Sequence, residues 1–517
     1  MNSPVFDGPT GVALTLRALR RFPARTAFAW DDGAITYAGV SALIGRMQAA
    51  MAKAGLSHGM RVGFLSANRA EGWCAGIAAS GLGLVVTWLH PMGSLADHVD
   101  QLEDADMDAL VVDTPAYADR GGELAVKVAR LGTVFTLGRA SYGVDLLAAA
   151  EAAGESAPRD LTAPDDYAIL NYTGGTTGKS KGAIRRHRSS GAATATILAD
   201  FEFPRDPRFL AVAPITHVAG TKVLPTLMLG GTTRLVKGFD PAKVLSIIER
   251  ERINFTLLVP TMIYMLLDHP ALERTDLSSL ELLLYGASPM SPTRLVEGLQ
   301  RIGPVFSQLY GQTECYPVSV LRKADHDAKR PELFASCGAP VAGCQVKLMD
   351  DDMAEVAPGE ICVRAPYAME RYWKREEQTA DTMKGGWVRT GDVARADGEG
   401  YLYIVDRKKD MIVTGGFNVF PREVEDVLTS DPGVAMAAVI GVPDVKWGEA
   451  VKALVVRKPG ATPDPEALMR LVKERKGAAQ APKSVEFVDT LPLTAVGKVD
   501  KKVLRATYWA GQSRQVG

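Results

Sequence analysis

The stretch YTGGTTGKSKG, Tyr172 to Gly182, joins hydroxyls, glycines and lysines in one short loop. Thr173, Thr176 and Thr177 offer hydroxyl donors, Gly174, Gly175 and Gly178 let backbone N–H groups approach an anion, and Lys179 and Lys181 add charge. That combination suits triphosphate oxygens. The centre nearly spells the Walker A pattern, but the glycine required five places before Gly178 is Thr173 instead. No persuasive strand carries a Walker B aspartate either, so a P-loop kinase or NTPase is disfavoured.

Further along, YGQTE (Tyr310–Glu314) offers an aromatic face for a base, a hydroxyl, and a carboxylate able to hold Mg²⁺. GAS (Gly286, Ala287, Ser288) follows a strand-like run, where small residues let a flat ring lie against backbone. RTGD ends in Asp392, a candidate acceptor for a ribose diol, and Arg407 in DRKKD is a second polar group for the same purpose. PITHVAG carries His217 at P-x-x-H-x-x-G spacing. Each motif alone is weak, but together, in this order, they point to a nucleotide-dependent enzyme rather than a regulator without turnover.

Positioning these groups requires strands that end beside one another. RVGFLSA, ALVVD, TVFTLG, FTLLVP and LELLLYG read as strands, and YAGVSALIGRMQAAMAKAG and DPAKVLSIIERERI as helices between them. The alternation predicts an α/β fold, a large N-terminal domain of mixed and parallel sheets with flanking helices. GYLYIV reads as its last strand. A small C-terminal α+β domain follows, with domains expected at 1–408 and 409–517 and DRKKD as the hinge between them.

The chain has 517 residues, 47% apolar and 23% charged, with a formal net charge of −1. Such a balance gives no global reason to expect nucleic acid or an anionic membrane as partner. Cys74, Cys315, Cys337, Cys344 and Cys362 form no CxxC pair and read as reduced thiols, so a cytoplasmic location is expected. VALTLRALRRF reads as an amphipathic helix, and CAGIAASGLGLVVTWL is too short and glycine-broken to span a membrane. Stable membrane insertion is not expected, and monomer and homodimer stay equally open.

These motifs resemble the adenylate-forming superfamily, which includes acyl-CoA synthetases, peptide-synthetase adenylation domains and beetle luciferases. The resemblance runs from ITYAGVSALIGRMQAAMAKAGL to LPLTAVGKVDKKVLR. In the family loop, S/T-S-G-T-T-G-x-P-K-G, Gly174 replaces the usual serine and Ser180 the proline, while Lys181 keeps the lysine. The resemblance implies that Thr173 to Lys181 hold the β- and γ-phosphates, that Thr313 contacts the α-phosphate, and that Glu314, with Thr177, holds Mg²⁺. Gly286 to Ser288, Tyr310 and Gly311 would frame the adenine, with Asp392 and Arg407 on the ribose. Lys498 in TAVGKVDKK matches the family's C-terminal catalytic lysine, and His217 the gate beside the carboxylate. Lys409 falls at the hinge position, and Gly415, Gly416 and Trp447 would line the route of coenzyme A.

The implied reaction joins a small-molecule carboxylic acid to ATP and then to coenzyme A. An acyl pocket walled by His217–Thr221, LLVPTMIYM, and the surroundings of Gly286 and Gly311 is mostly apolar, which favours an aryl or medium-to-long aliphatic monocarboxylic acid. Where many acyl-CoA ligases carry an aromatic before the final segment, Ala479 stands in GAAQAPK. That leaves open an acceptor other than coenzyme A, such as an amine.

Overall fold

The computed structural model describes residues 8–173, 180–407, 410–414, 417–444, 447–494 and 498–510. Loop residues Gly174, Gly175, Thr176, Thr177, Gly178 and Lys179, the hinge candidate Lys409, and Gly415 and Gly416 lie outside them, as does the Arg407 side chain.

The described strands form four sheets. The first has a parallel centre. Phe306–Tyr310, Leu282–Gly286, Phe255–Leu258, Arg208–Ala211, Thr232–Leu235 and Thr26–Trp30 lie side by side in that order. These short β-rich runs are buried on both faces, as parallel strands between helices must be. The second sheet is also parallel at its centre, around Arg61–Leu65, Val85–Trp88, Ala109–Val112 and Thr133–Thr136. Helices Tyr37–Lys53 and Ala70–Gly81 pack between the two sheets in one continuous apolar core.

The third sheet is antiparallel. Gln345–Met349, Gly359–Arg364, Trp387–Ala396 and Leu402–Arg407 pair antiparallel throughout. The fourth begins at Ile412–Thr414 and is built on the long hairpin Val434–Asp444 and Gly448–Arg457, backed by helices Pro421–Leu428 and Pro465–Lys476. The amphipathic N-terminal segment is the helix Gly11–Arg21, and its apolar face (Val12, Leu16, Leu19) is buried in the protein core. No described helix is long and apolar enough to cross a membrane. All five cysteines are free thiols.

One buried side chain ties the two large sheets together where the site forms. Asn68 Nδ2 lies 3.1, 3.3, 3.2 and 3.1 Å from the carbonyls of Ala211, Val212, Ala213 and Val236. Its Oδ1 accepts from the Ile215 N–H at 2.8 Å. Asn68 thereby fixes the segment leading to His217. Leucine would fit the volume but remove these hydrogen bonds from buried backbone groups, so Asn68→Leu is expected to cost about 2–4 kcal/mol in urea unfolding. A midpoint within error of the parent would contradict this.

Candidate active site

The C-terminal ends of adjacent parallel strands bring the sequence motifs together. GAS leaves the strand Leu282–Gly286 and YGQTE leaves Phe306–Tyr310, with Gly286 opposite Leu309 in register. FTLL ends beside Leu282–Gly286, and Arg208–Ala211 leads into PITHVAG. Crevices at such strand ends are where open α/β sheets bind ligands. The spacing is tight: a Cβ on Gly286 would lie 2.4 Å from the Leu309 carbonyl oxygen, and one on Gly220 1.8 Å from that of Ile215. Ala287 takes a left-handed φ of 65°, a strained choice that bends the chain out of the sheet.

Around the nucleotide candidates, Asp392 is 4% exposed and its Oδ2 accepts from the Tyr310 hydroxyl at 2.7 Å and from Gln312 Nε2 at 2.6 Å. Gln312 also donates to the Thr390 carbonyl at 2.8 Å. Burial, with the Asp392 carboxylate beside it, pushes the Tyr310 phenol well above its ordinary range, so it stays a donor. Asp392 stands opposite Arg407 in the antiparallel pairing of Trp387–Ala396 with Leu402–Arg407. The two ribose candidates are thus backbone neighbours.

Thr313 and Glu314 sit in a turn closed by Gln312 N–H to Cys315 O at 2.9 Å and Cys315 N–H to Gln312 O at 3.1 Å. Glu314 Oε1 accepts from the Tyr372 hydroxyl at 2.5 Å, and Lys181 Nζ stands 4.9 Å from the Tyr372 ring centroid. Tyr372 therefore links the glycine-rich loop to Glu314. The loop's ends are pinned by Thr173 N–H to Lys181 O at 2.9 Å. It connects the antiparallel strands Tyr167–Tyr172 and Gly182–Arg186, and the helix His187–Asp200 starts only after the second of them.

At the candidate gate, His217 meets His90 edge to face, ring centroids 4.3 Å apart, and its Nδ1 lies 2.9 Å from Thr216 Oγ1. Burial first lowers both, His217 to about 3 with His90 beside it and His90 to about 4 with His98 beside it. Both rings are neutral at physiological pH. Burial also lowers His326 to about 4, where it accepts from Tyr285 at 3.0 Å and donates to the Arg322 carbonyl at 2.7 Å.

These depressed histidines make stability fall in acid. The unfolded chain binds protons at pH 6.5 and the native chain does not, so stability is full above 6.5 and declines as pH drops towards 4. Each fully shifted histidine contributes about 1.4 kcal/mol per pH unit. Urea unfolding at pH 7.5, 6 and 5 is expected to show that decline, and a flat profile would contradict it.

The C-terminal unit seats its helix Pro421–Leu428 beside GAS. Arg422 Nη2 donates to the Met290 carbonyl at 3.2 Å, and Ser291 Oγ lies 3.4 Å from Thr429 Oγ1. The Lys498 backbone is held against Thr494, its N–H on Thr494 Oγ1 at 3.2 Å and its carbonyl on the Thr494 N–H at 2.7 Å. Trp447 is 40% exposed on the turn of the long hairpin, its N–H on Asp444 Oδ1 at 2.9 Å.

Comparison with known proteins matches residues 16–373 to the AMP-binding enzyme family and residues 423–498 to the AMP-binding enzyme C-terminal domain. The chain belongs to the AMP-binding enzymes. A medium/long-chain-fatty-acid–CoA ligase of Mycobacterium tuberculosis is 44% identical over 100% of this chain and 92% of its own length. Feruloyl-CoA synthase of an Amycolatopsis species is 36% identical over 95% of this chain and 98% of its own. The amide bond synthetase McbA from Marinactinospora thermotolerans superposes with a TM-score of 0.89 at 34% identity, covering 96% of this chain and 100% of that one.

Four residues packed against the candidate site residues lie outside the positions singled out from the sequence: Gln312, Tyr372, His90 and Lys222. Gln312 lies inside a quoted motif, and its role follows only from the nearness of Asp392. Tyr372 and His90 come from distant segments. Lys222 directly follows the neutral wall read from His217 to Thr221. It is entirely buried, under Phe201 and Tyr316, with Nζ 4.8 and 4.7 Å from their ring centroids.

Proposed function

We propose that this AMP-binding enzyme is an ATP-dependent carboxylic acid–CoA ligase for an aryl or medium-to-long aliphatic monocarboxylic acid. The carrying observation is the convergence beside the strand end at Tyr310: Asp392 accepts from Tyr310, and Tyr372 bridges Glu314 and the loop lysine Lys181. In the first step an acid oxygen attacks the α-phosphorus of ATP, forming the acyl–phosphate bond and releasing pyrophosphate. In the second the coenzyme A sulfur attacks the acyl carbon, its proton is lost, and AMP leaves.

Both reactants of the first step are anions, so catalysis rests on placing positive charge between them. Lys181 and the loop amides would hold the pyrophosphate end. Lys498 would stand between carboxylate and α-phosphate, and Thr313 would contact the α-phosphate. Asp392, its carboxylate fixed by Tyr310 and Gln312, would accept from the ribose hydroxyls, with Arg407 beside it. The acid is already ionised at neutral pH, so His217, held neutral, acts as a wall beside the carboxylate rather than as a base.

The site also fits Mg²⁺. Glu314 Oε1 is oriented by Tyr372, and no described cluster of three carboxylate, histidine or cysteine groups forms a dedicated cage. One carboxylate completed by substrate phosphates and water is how Mg²⁺ is usually bound, with Thr177 a further oxygen. When bound, the ion would neutralise phosphate charge.

Coenzyme A would approach along Gly415, Gly416 and Trp447, after the C-terminal domain, 409–517, turns about the hinge at Lys409. A second reading is favoured by Ala479, which offers no ring to stack on coenzyme A, and by the likeness to an amide bond synthetase. On that reading the acyl-adenylate is formed identically and an amine takes the acyl group. Exchange of labelled pyrophosphate into ATP tests the shared first step. Exchange that requires a carboxylic acid supports the proposal, and none with any aryl or fatty acid would overturn it.

A further inference from the structure

Lys222 is 0% exposed and makes no ion pair among the described residues. Methionine would fill the same space without desolvating an amine, so what lysine adds lies in its hydrogen bonds. Nζ stands 2.8 Å from Thr221 Oγ1 and 2.5 Å from the Tyr316 hydroxyl. Burial without a counter-charge pushes the Lys222 amine well below its ordinary range, towards the neutral form, which has N–H donors and one lone pair. Thr221 spends its own proton on the Val218 carbonyl, 2.7 Å away, so its oxygen accepts from Lys222. Of an amine and a phenol in contact, the phenol is much the stronger acid. The Tyr316 O–H therefore points into the Lys222 lone pair, and the Tyr316 oxygen is left only to accept.

Tyr316 is the partly exposed member of the pair. Its ring lies against Gly311, where a Cβ would come within 2.7 Å of Cδ2, and its hydroxyl reaches Thr221 and Lys222. It thus spans from the turn carrying Glu314 to the segment carrying His217. Those are two walls of the proposed acid site.

We propose that Tyr316, with its proton committed to Lys222, selects acids that carry a hydrogen-bond donor, a hydroxyl or N–H, on the body of the molecule. Lys222 is the positioning residue and Tyr316 the specificity residue. This inference rests on the acid-activating function proposed above. An oxygen that only accepts satisfies a hydroxyl and leaves an ether or ketone at the same place facing a lone pair.

The test is acid-dependent pyrophosphate release on two matched sets: 3-phenylpropanoates bearing hydroxyl, methoxy or hydrogen at each ring position, and fatty acids bearing the same groups at successive carbons. The parent enzyme is expected to prefer hydroxyl over methoxy by about tenfold in kcat/KM at one position or more. Tyr316→Phe should bring that ratio near one. Lys222→Met frees the Tyr316 proton to donate, and should shift the ratio several-fold towards methoxy. Should Lys222→Met fail to fold, Tyr316→Phe alone decides. A parent enzyme with no hydroxyl preference in either set, or a preference that survives Tyr316→Phe, would overturn the inference while leaving acid activation intact. No release with any acid would overturn the proposed function and this inference with it.

Discussion

Lys498→Ala is expected to lower acyl-adenylate formation by about a thousandfold while leaving thiolysis of a preformed acyl-adenylate within a few-fold of the parent. The first step drives a carboxylate against a triphosphate, and one side-chain cation placed between them is worth about 10²–10³ in rate. In the second step that repulsion is gone, because the acyl–phosphate bond already exists. Lys498 is fixed through its backbone N–H and carbonyl on Thr494, so alanine keeps those bonds. Arginine should rescue poorly, because its planar fork is longer and less compact than an ammonium group. Quenched-flow measurement of each half-reaction separates the two steps. Equal losses in both would remove Lys498 from its assigned role.

Glu314→Gln should have the next largest effect. The amide oxygen can still accept the Tyr372 hydroxyl that reaches Glu314 Oε1 at 2.5 Å, and the volume is unchanged, so the fold around it should persist. Only the negative charge is lost. If that charge helps hold Mg²⁺ against the phosphates, kcat/KM for adenylation should drop about a hundredfold, and the Mg²⁺ concentration for half-maximal rate should rise about tenfold. An Mg²⁺ titration curve that superposes on the parent's would contradict the metal role.

Much of the large domain is legible because its strands are short apolar runs separated by amphipathic helices. ALVV, FTLL and LLLYG are buried on both faces, and local composition alone marks them. The third sheet was harder to read. Its strand Gln345–Met349 runs through exposed and half-buried positions to a single buried one, so no apolar run marks it before it pairs with Gly359–Arg364. The glycine-rich loop shows the same limit. That GAIRR forms a strand depends on pairing with YAILNY and with Arg371–Tyr372, a partner no local pattern reveals.

Within the site, residues that sit in dense motifs were found, and residues that act through distant contacts were not. Tyr310 and Asp392 were each singled out, yet their mutual hydrogen bond and the help of Gln312 required the fold. His90 is a lone histidine until the second sheet carries it against His217. Lys222 reads as an ordinary solvated lysine, and only Phe201 and Tyr316, arriving from other elements, make it a buried amine.

The central claim is acid activation followed by transfer to coenzyme A. Its most direct test incubates the protein with ATP and Mg²⁺ across a panel of aryl and fatty acids, with and without coenzyme A, and quantifies pyrophosphate, AMP and thioester by mass spectrometry. The account predicts pyrophosphate release with one class of acid, faster turnover when coenzyme A is present, and AMP and acyl-CoA in equal amounts. Acid-dependent release that ignores coenzyme A and yields no thioester would contradict it and pass the second step to an amine.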